Sequence, residues 1–465
     1  MRTLLRKVCY GLLSAAAMLS ASGYGVAAPA AKNDATVRAK PAATAGSALD
    51  SGFSNKNIFS ALSPRPFPKV PPDVSNRWAD DSDAALLGQR LFFDTRFSGP
   101  LLAAEHDGSV FGSGLGTQGT PGKVACSSCH IPSAVFSDTR STKQQVSLGA
   151  AWTHRRSPSL IDVGYSSVLM WDGRRDAGFN QVFGALEASA EMNSSRLFVA
   201  QQMSRLYKAH YERVFKEAFP DLSDFPIIAP EDAGCKTEQA TPTTSCAKPY
   251  DDRVNRVVAN FGKAMNAYLR KLTCGAGRFD AWVNGDANAI TAQEKRGAAL
   301  FVGKGRCVSC HSGPQFTDQK FHNIGLGVGM VSLVIQVGGD PGAAQGVPAM
   351  LADPLNVRGK FSDGYDGRLD ALERAKPDDL LGAFRTPSLR CVEKRPSFTH
   401  SAQMRTLTDV VAFFNRGGAP SGTIGKKEIV ALNLTLDEEA DLVAFMKTLT
   451  GPGPAPELLT PPANP

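Results

Sequence analysis

Apolar residues recur every three or four positions in four long stretches of the chain, which is the spacing of a helix with one buried face. These stretches span residues 82–93, 251–273, 291–301 and 434–451. Apolar runs suited to strands are short, as at 331–337. The pattern therefore predicts a mainly α fold in which long loops connect the helices and few short strands occur.

Capping signals support these helices. Ser82 stands where an N-cap is expected, and Thr291 with Glu294 three residues later forms a capping box, in which each side chain accepts from the other residue's backbone. The last stretch ends at Gly451 and is followed by prolines, which cannot continue a helix.

The two ends of the chain lack this periodicity. Residues 1–30 combine a basic start, "MRTLLRK", with an apolar run diluted by Ser and Gly and with small residues near the end, which favours a cleaved signal peptide over a membrane anchor. Residues 31–75 are rich in Ala, Pro, Ser and Lys and predict a flexible tether, and 451–465 form a Pro-rich tail. We therefore expect a periplasmic protein with no membrane insertion after cleavage.

The composition is that of an ordinary globular protein. The chain has 465 residues, of which 42% are hydrophobic and 20% are charged, enough for two or three domains. The formal net charge is +7, and three of the basic residues lie in the predicted signal peptide. Because the remaining excess is small and no basic run is interleaved with aromatics, we expect no nucleic-acid partner.

An internal repeat relates the two halves. In each half a Gly-x-x-Leu-Phe pattern precedes a C-x-x-C-H run, and a Phe-x-Asp triplet follows it. The matching residues are Gly88, Leu91 and Phe92 with Gly297, Leu300 and Phe301, and Phe136 and Asp138 with Phe316 and Asp318. The repeat predicts two related helical domains, 76–273 and 274–450, of which the first carries a Gly-rich insertion at 108–122.

The two C-x-x-C-H runs predict two covalently bound haem c groups. Both thiols of each run form thioethers with haem vinyl groups, and the adjacent histidine becomes the proximal iron ligand. Zinc would need further Cys or His at matching spacing, and a redox dithiol would not need the histidine. The predicted attachment residues are Cys126, Cys129, Cys307 and Cys310, and the predicted iron ligands are His130 and His311.

Five further cysteines remain. Cys9 leaves with the signal peptide, so an even number of thiols reaches an oxidising compartment. Cys235 and Cys246 flank a polar loop that a disulfide would close, and a bridge between Cys274 and Cys391 would tie two distant segments together.

Several quoted segments resemble the bacterial dihaem cytochrome c peroxidase and MauG superfamily. They are "LGQRLFFDTRFS", "ACSSCH", "HRRSPSL", "MWDGRRDAGFNQ" and "EM" in the first half, and "CVSCHSGPQFTDQKFHNIGL" and "FRTPSLR" in the second. The likeness covers most of 80–450 in matching order. It implies two cytochrome c-like haem domains, with a peroxidatic haem in the N-terminal domain and an electron-transfer haem in the C-terminal domain.

The resemblance also assigns roles to three residues of the first half. Trp171 matches the family's tryptophan between the haems, Gln181 its active-site glutamine and Glu191 its catalytic glutamate. The chemistry agrees, because splitting the O–O bond of peroxide needs a group that takes a proton and returns it. The alternatives are a core tryptophan, a glutamine on a helix face and a surface glutamate.

Two departures from the family concern the first haem. Members that are activated by reduction carry a distal histidine before "SPSL", whereas the counterpart region near Leu148 has none and His154 sits in what reads as a structural turn. We therefore expect the first haem to be open at rest. Arg156 stands where the family often has an asparagine that helps to bind calcium. Its guanidinium can supply the positive charge, so calcium stays an open alternative.

The third departure concerns the second haem. The family's distal ligand, a Met or a Tyr, lies fourteen positions after His400, which here is Phe414. A phenyl ring cannot bind iron, so we expect Met404 from the same loop to be the ligand, with Met350 and His322 as weaker candidates. Met404 as a plain core residue is the other interpretation.

Together these observations predict a periplasmic dihaem peroxidase that reduces hydrogen peroxide to water. A small cytochrome or cupredoxin would donate electrons at the second haem. One rival is a MauG-like enzyme that oxidises a partner protein, against which the missing tyrosine at Phe414 argues. The other is an electron-transfer cytochrome with both irons closed, which would have no use for Glu191.

Overall fold

A computed structural model describes most of the chain. The described residues are 62, 67–109, 114–141, 145–234, 252–327 and 339–463. The predicted signal peptide, the proposed Cys235–Cys246 pair and the strand-like run at 331–337 lie outside them.

The described fold is mainly helical with few short strands, as the sequence predicts. Two antiparallel pairs form, β1 (Val146–Leu148) with β2 (Trp152–Thr153) and β3 (Phe321–His322) with β4 (Phe384–Arg385). The helices are α1 (Ser82–Phe93), α2 (Cys126–Cys129), α3 (Gly178–Glu187), α4 (Arg196–Phe215), α5 (Asp252–Leu269), α6 (Arg278–Val283), α7 (Ala292–Val302), α8 (Ala343–Ala352), α9 (Asp370–Glu373), α10 (Pro377–Leu380), α11 (Leu407–Asn415) and α12 (Leu436–Lys447).

Capping explains where two of these helices begin. The predicted box at α7 is present, since Glu294 N donates to Thr291 Oγ1 at 3.2 Å and Thr291 N donates to Glu294 Oε2 at 2.8 Å. At α1 the predicted cap is one residue off. Asp81, not Ser82, accepts from the Ala84 N–H at 2.8 Å, because a carboxylate satisfies a helix N-terminus as well as a hydroxyl does.

The internal repeat extends to helix packing. In the first half α1 packs against α5, and in the second half α7 packs against α12. A Cβ on Gly88 would lie 2.0 Å from the Ala264 carbonyl oxygen, and one on Gly297 would lie 2.0 Å from that of Asp441. Each glycine of the repeat therefore permits its helix to cross a partner helix at a distance that no side chain allows.

Two hydrophobic clusters follow from this arrangement. The first contains residues of α1, α3, α4 and α5 and extends to α8, and the second contains residues of α6, α7, α11 and α12. In each cluster the repeat phenylalanines pack edge to face, Phe92 on Phe136 at 5.7 Å and Phe301 on Phe316 at 6.0 Å between ring centroids. Each C-x-x-C-H run therefore lies against its own core.

A disulfide joins Cys274 to Cys391 with 5.7 Å between the Cα atoms, which confirms that predicted pair. The end of the predicted tether also contacts the helical body, since Tyr165 Oη donates to the Pro68 carbonyl at 2.9 Å and Arg270 Nη1 donates to that of Pro71 at 2.8 Å. Among the described helices, none has the length and apolar character to cross a membrane.

Candidate haem sites and active site

Each C-x-x-C-H run folds into a tight turn of its own. His130 N donates to the Cys126 carbonyl and His311 N donates to the Cys307 carbonyl, each at 2.9 Å. The first turn is α2 and the second is a single 3₁₀ turn at Cys307–Ser309. The same backbone hydrogen bond thus gathers two thiols and an imidazole in each half.

The two histidines are held with one ring nitrogen engaged. His130 Nδ1 lies 3.1 Å from the Phe136 carbonyl oxygen and 3.0 Å from that of Pro158, and His311 Nδ1 lies 2.8 Å from that of Phe316. A carbonyl only accepts, so Nδ1 carries the proton and Nε2 keeps its lone pair. Burial lowers the pKa of both imidazoles, that of His311 to about 4, which keeps them neutral as metal ligands must be.

The internal repeat includes the residues that orient the two histidines as well as the thiols. Phe136 and Phe316, equivalent in the two copies, both have positive φ angles of 55° and 51°. This backbone conformation accompanies the carbonyl that orients each proximal histidine. The aromatic side chain packs in the core while the main chain of the same residue positions the ligand.

Three arginines bear on whether the side chains around these sites could hold haem. Burial lowers the pKa of Arg156 to about 9 and those of Arg385 and Arg395 to about 10, and in the described part of the chain none of them has a carboxylate partner. Arg395 Nε is buried without any hydrogen-bond partner there. Haem carries propionate carboxylates that match guanidinium donors. Thiols, neutral imidazoles and unpaired guanidiniums are therefore a donor set that fits haem.

Glu191 lies beside the first attachment site. Burial raises the pKa of its carboxyl, and nearby Arg174 and Arg175 oppose this rise, with Arg174 Nη2 3.9 Å from Oε1. Burial raises the pKa of Cys126 and Cys129 to about 12, and the Glu191 carboxylate is close enough to both thiols to add to that rise. A half-buried carboxylate of raised pKa thus lies near the thiols of the first C-x-x-C-H run.

Gln181 and Trp171 are close in the fold, since Gln181 contacts Met170, the residue before Trp171. Gln181 is on α3, and its Nε2 donates to the Met170 sulfur at 3.8 Å. Trp171 is buried, donates from Nε1 to the Arg156 carbonyl at 2.6 Å and has the Arg156 guanidinium 5.4 Å from its ring centroid. The three predicted residues therefore occur before, within and just after α3, each with its own partners.

Arg156 itself connects the two halves of the chain. Its Nη1 donates to Ser137 Oγ, its Nε donates to the Thr399 carbonyl at 3.1 Å, and its backbone N donates to the His400 carbonyl at 2.7 Å. A buried guanidinium thus stands at the sequence position that the resemblance links to calcium, and a calcium site stays an open alternative. The described residues contain no group of three or more His, Cys, Asp or Glu side chains suited to a metal ion.

Sequence reasoning used His400 only to count positions and missed its place in the fold. The ring stacks on Phe384 at 3.7 Å and lies 6.4 Å from Trp171 between centroids. Burial lowers its pKa to about 3, although Asp340 Oδ2 at 3.6 Å opposes this. No local signal reveals this contact, because Trp171 and Phe384 are far from His400 in the chain.

The segment from Leu148 to Arg155, where some family members carry a distal histidine, is held by contacts with the rest of the protein. Leu148 is buried at the end of β1, and its carbonyl accepts from Cys129 Sγ at 3.5 Å. His154 follows β2 and is exposed, while the next residue, Arg155, pairs with Asp340 at 2.6 Å. This is the structural turn that the sequence suggests, and an open first haem stays a prediction.

The three candidate ligands of the second haem lie in different parts of the fold. Met404 is buried in the second hydrophobic cluster, against which Cys307 and Phe414 also pack. Met350 is buried in the first cluster. His322 has both ring nitrogens engaged, Nε2 by Asp318 at 2.8 Å and Nδ1 by Glu428 at 2.6 Å, and Asp318 contributes most to a pKa raised to about 11.

Comparison with known proteins agrees with these features. A family model described as di-haem cytochrome c peroxidase matches residues 82–288. The cytochrome-c peroxidase IdrP1 of Denitromonas iodatirespirans is 30% identical over 83% of this chain and 85% of the relative. The methylamine utilization protein MauG of Methylorubrum extorquens is 29% identical over 83% and 81%, respectively.

Two solved structures share the fold. One is a MauG-like protein associated with microbial copper homeostasis, with a TM-score of 0.55, 24% identity and coverage of 86% of this chain and 98% of that protein. The other is the diheme peroxidase BthA from Burkholderia thailandensis, with a TM-score of 0.54, 22% identity and coverage of 84% and 95%.

Proposed function

Since the chain belongs to the di-haem cytochrome c peroxidase family, we propose that it reduces hydrogen peroxide to water in the periplasm, with electrons from a small cytochrome or cupredoxin. The family makes it a peroxidase-type oxidoreductase. The observation that supports peroxide as substrate is the half-buried Glu191 carboxylate of raised pKa near the thiols of Cys126 and Cys129.

The two repeat units are, in this proposal, cytochrome c-like domains that each hold one covalent haem. Cys126 and Cys129 attach the first and Cys307 and Cys310 the second. When bound, haem iron supplies the Lewis acidity and redox chemistry that breaking an O–O bond needs. The chain's own residues then have to bind peroxide and move its protons.

Glu191 performs the proton transfer. Its carboxylate takes a proton from one peroxide oxygen and returns it to the other, so that the departing oxygen leaves as water. With two electrons and two further protons the products are two water molecules. Burial raises its proton affinity, and Arg174, 3.9 Å away, keeps the deprotonated form accessible. The Gln181 amide can orient the oxygen that remains to be protonated.

Trp171 serves electron passage between the halves. Its indole lies where residues of the first half meet His400 of the second, and the Arg156 carbonyl fixes the indole N–H at 2.6 Å. A large polarisable ring held in one orientation suits this role. In the proposal electrons enter at the second haem, which keeps the donor away from the peroxide.

We assign Met404 as the distal ligand of that second haem. Its burial in the second hydrophobic cluster supports the assignment, whereas Met350 packs in the first cluster and both nitrogens of His322 already bind carboxylates. His/Met ligation raises a haem's reduction potential, which suits a site that accepts electrons.

A MauG-like reaction is the second candidate, supported by the MauG relative at 29% identity. Against it stands Phe414, which packs on the second cluster at the position where MauG has a tyrosine ligand. A plain electron carrier is the third, and Glu191 argues against it.

The test is Glu191→Gln in the haem-loaded enzyme. The amide keeps the shape but accepts no proton, so peroxide turnover should fall by about 10²–10⁴-fold with both haems retained. Glu212→Gln is the matched control, because the side chain of this half-buried glutamate of α4 accepts from the Phe219 N–H at 3.2 Å and from no other described residue. Turnover of Glu191→Gln equal to that of the control would exclude the acid–base role.

A further inference from the structure

The Gly-rich insertion is tied to the segment that precedes it. Gly119 N donates to the Leu101 carbonyl at 2.8 Å, Leu101 N donates to the Thr120 carbonyl at 3.0 Å, and Gly122 N donates to the Ser98 carbonyl at 3.1 Å. The described part of the insertion, from 114 onward, therefore folds back on residues 98–106 instead of extending away from them.

His106 lies just before this insertion and is almost completely buried, with 1% of its surface exposed. Its Nε2 lies 2.6 Å from the Gly149 carbonyl oxygen. Because a carbonyl only accepts, the Nε2 nitrogen carries the proton. Burial lowers the pKa of His106, so the ring is a neutral donor with one fixed tautomer.

Gly149 belongs to a loop, residues 148–151, that joins the attachment site to Glu191. On one side the Leu148 carbonyl accepts from Cys129 Sγ at 3.5 Å. On the other side Ala150 N donates to the Glu191 carbonyl at 2.7 Å. A Cβ on Gly149 would lie 2.7 Å from that same carbonyl oxygen and 2.9 Å from the Glu191 Cα, so the two backbones are in direct contact.

We propose that His106 is a positioning residue for Glu191 that acts through the 148–151 loop. The inference rests on the proposed function and adds a residue that directly precedes the insertion. The 148–151 loop is clamped between His106 and the Glu191 backbone, so its place fixes where that backbone runs. A displacement of about 1 Å at a catalytic group can cost about 10²-fold in rate. His106 thereby sets the rate without touching peroxide.

The first experiment compares His106→Ala, His106→Gln and His210→Ala in the haem-loaded protein. The rate constant for reaction of the ferric enzyme with peroxide should fall about 10–100-fold in His106→Ala. It should recover in His106→Gln, whose amide can still donate to Gly149. His210 is the matched control, a half-buried histidine of α4 that contacts Tyr207 and not the 148–151 loop.

The second experiment separates positioning from general loss of structure. In a Glu191→Gln background, His106→Ala should add almost nothing, because residues that act as one unit are non-additive. If the rate reduction in the double variant equals the product of the two single reductions, the proposal is overturned. A wild-type rate in His106→Ala would overturn it as well. If Glu191→Gln itself keeps the wild-type rate, the proposed function fails instead.

Gly149→Ala provides an independent perturbation that leaves His106 in place. The added methyl would meet the Glu191 carbonyl and should reduce the same rate constant by at least tenfold, with unchanged haem content and helical circular dichroism. This variant decides the matter if His106→Ala does not fold. A wild-type rate in Gly149→Ala would contradict coupling between the 148–151 loop and Glu191.

Discussion

Replacing Arg390 by methionine should destabilise the protein strongly. Arg390 is fully buried and forms a two-pronged ion pair with Asp280, Nη1 to Oδ2 at 2.5 Å and Nη2 to Oδ1 at 2.8 Å. Methionine fills much of the volume but leaves the Asp280 carboxylate, 4% exposed, with the Gly277 N–H at 2.7 Å as its remaining described partner.

The magnitude follows from that burial. Removing one partner of a buried pair leaves an uncompensated charge and costs about 3–5 kcal/mol. The control is Lys360→Met, because Lys360 and Asp252 are 62% and 64% exposed and such pairs are worth about 0–1 kcal/mol. Asp280→Asn combined with Arg390→Met removes the stranded charge and should recover most of the loss.

Urea unfolding of the haem-loaded protein, followed by circular dichroism, measures these differences. The second haem's absorption spectrum is a useful second signal, since Arg390 Nε donates to the Pro314 carbonyl at 2.8 Å, two residues from the Phe316 carbonyl that orients His311. A loss below about 1 kcal/mol, or no recovery in the double variant, would refute the reasoning.

Three further predictions concern other parts of the molecule. Met404→Ala should lower the second haem's potential and slow its reduction without altering peroxide binding at the first, and an unchanged low-spin spectrum would show that Met404 is a core residue. Replacing Cys274 and Cys391 by serine, which opens a link across a sequence separation of 117, should lower the unfolding free energy by up to about 5 kcal/mol in the chain-entropy model, measured without reductant. Burial holds the pKa of His400 at about 3, whereas the unfolded chain has a pKa of about 6.5 at this residue. Between about pH 3 and pH 6.5 the unfolded state therefore binds one more proton than the folded state, and the unfolding free energy falls as the pH drops through this range. His400→Gln should remove a slope of about 1.4 kcal/mol per pH unit from the unfolding free energy there, and identical slopes would exclude a neutral buried ring.

Local features were predictable because their physics is local. The capping box at Thr291 satisfies backbone groups three residues away, and the C-x-x-C-H turns need only their own hydrogen bonds. The helix repeat was visible because crossing glycines, Gly88 and Gly297, must recur wherever the same packing recurs. One-residue errors such as Asp81 for Ser82 arise because several residue types cap equally well.

The rest depends on contacts between distant segments. The Asp280–Arg390 pair spans 110 positions, and no periodicity links the two residues. The stacking of His400 on Phe384 and the bond from His106 to Gly149 are equally invisible, since each residue alone reads as an ordinary loop histidine. The role of Glu191 is predicted through family resemblance and stays a prediction, and its raised pKa emerges only once its surroundings in the fold are known.

The chain carries six described cysteines with two opposite fates, which bears on how it matures. In the proposed di-haem protein Cys274 and Cys391 have to oxidise to each other, while the thiols of the two C-x-x-C-H runs have to stay reduced until haem arrives. Burial raises the pKa of Cys126, Cys129 and Cys307 to about 12, and thiol–disulfide exchange proceeds through the thiolate. In the proposed maturation, folding would therefore slow exchange at these three sulfur atoms, so that wrong pairing would be most frequent before the core forms.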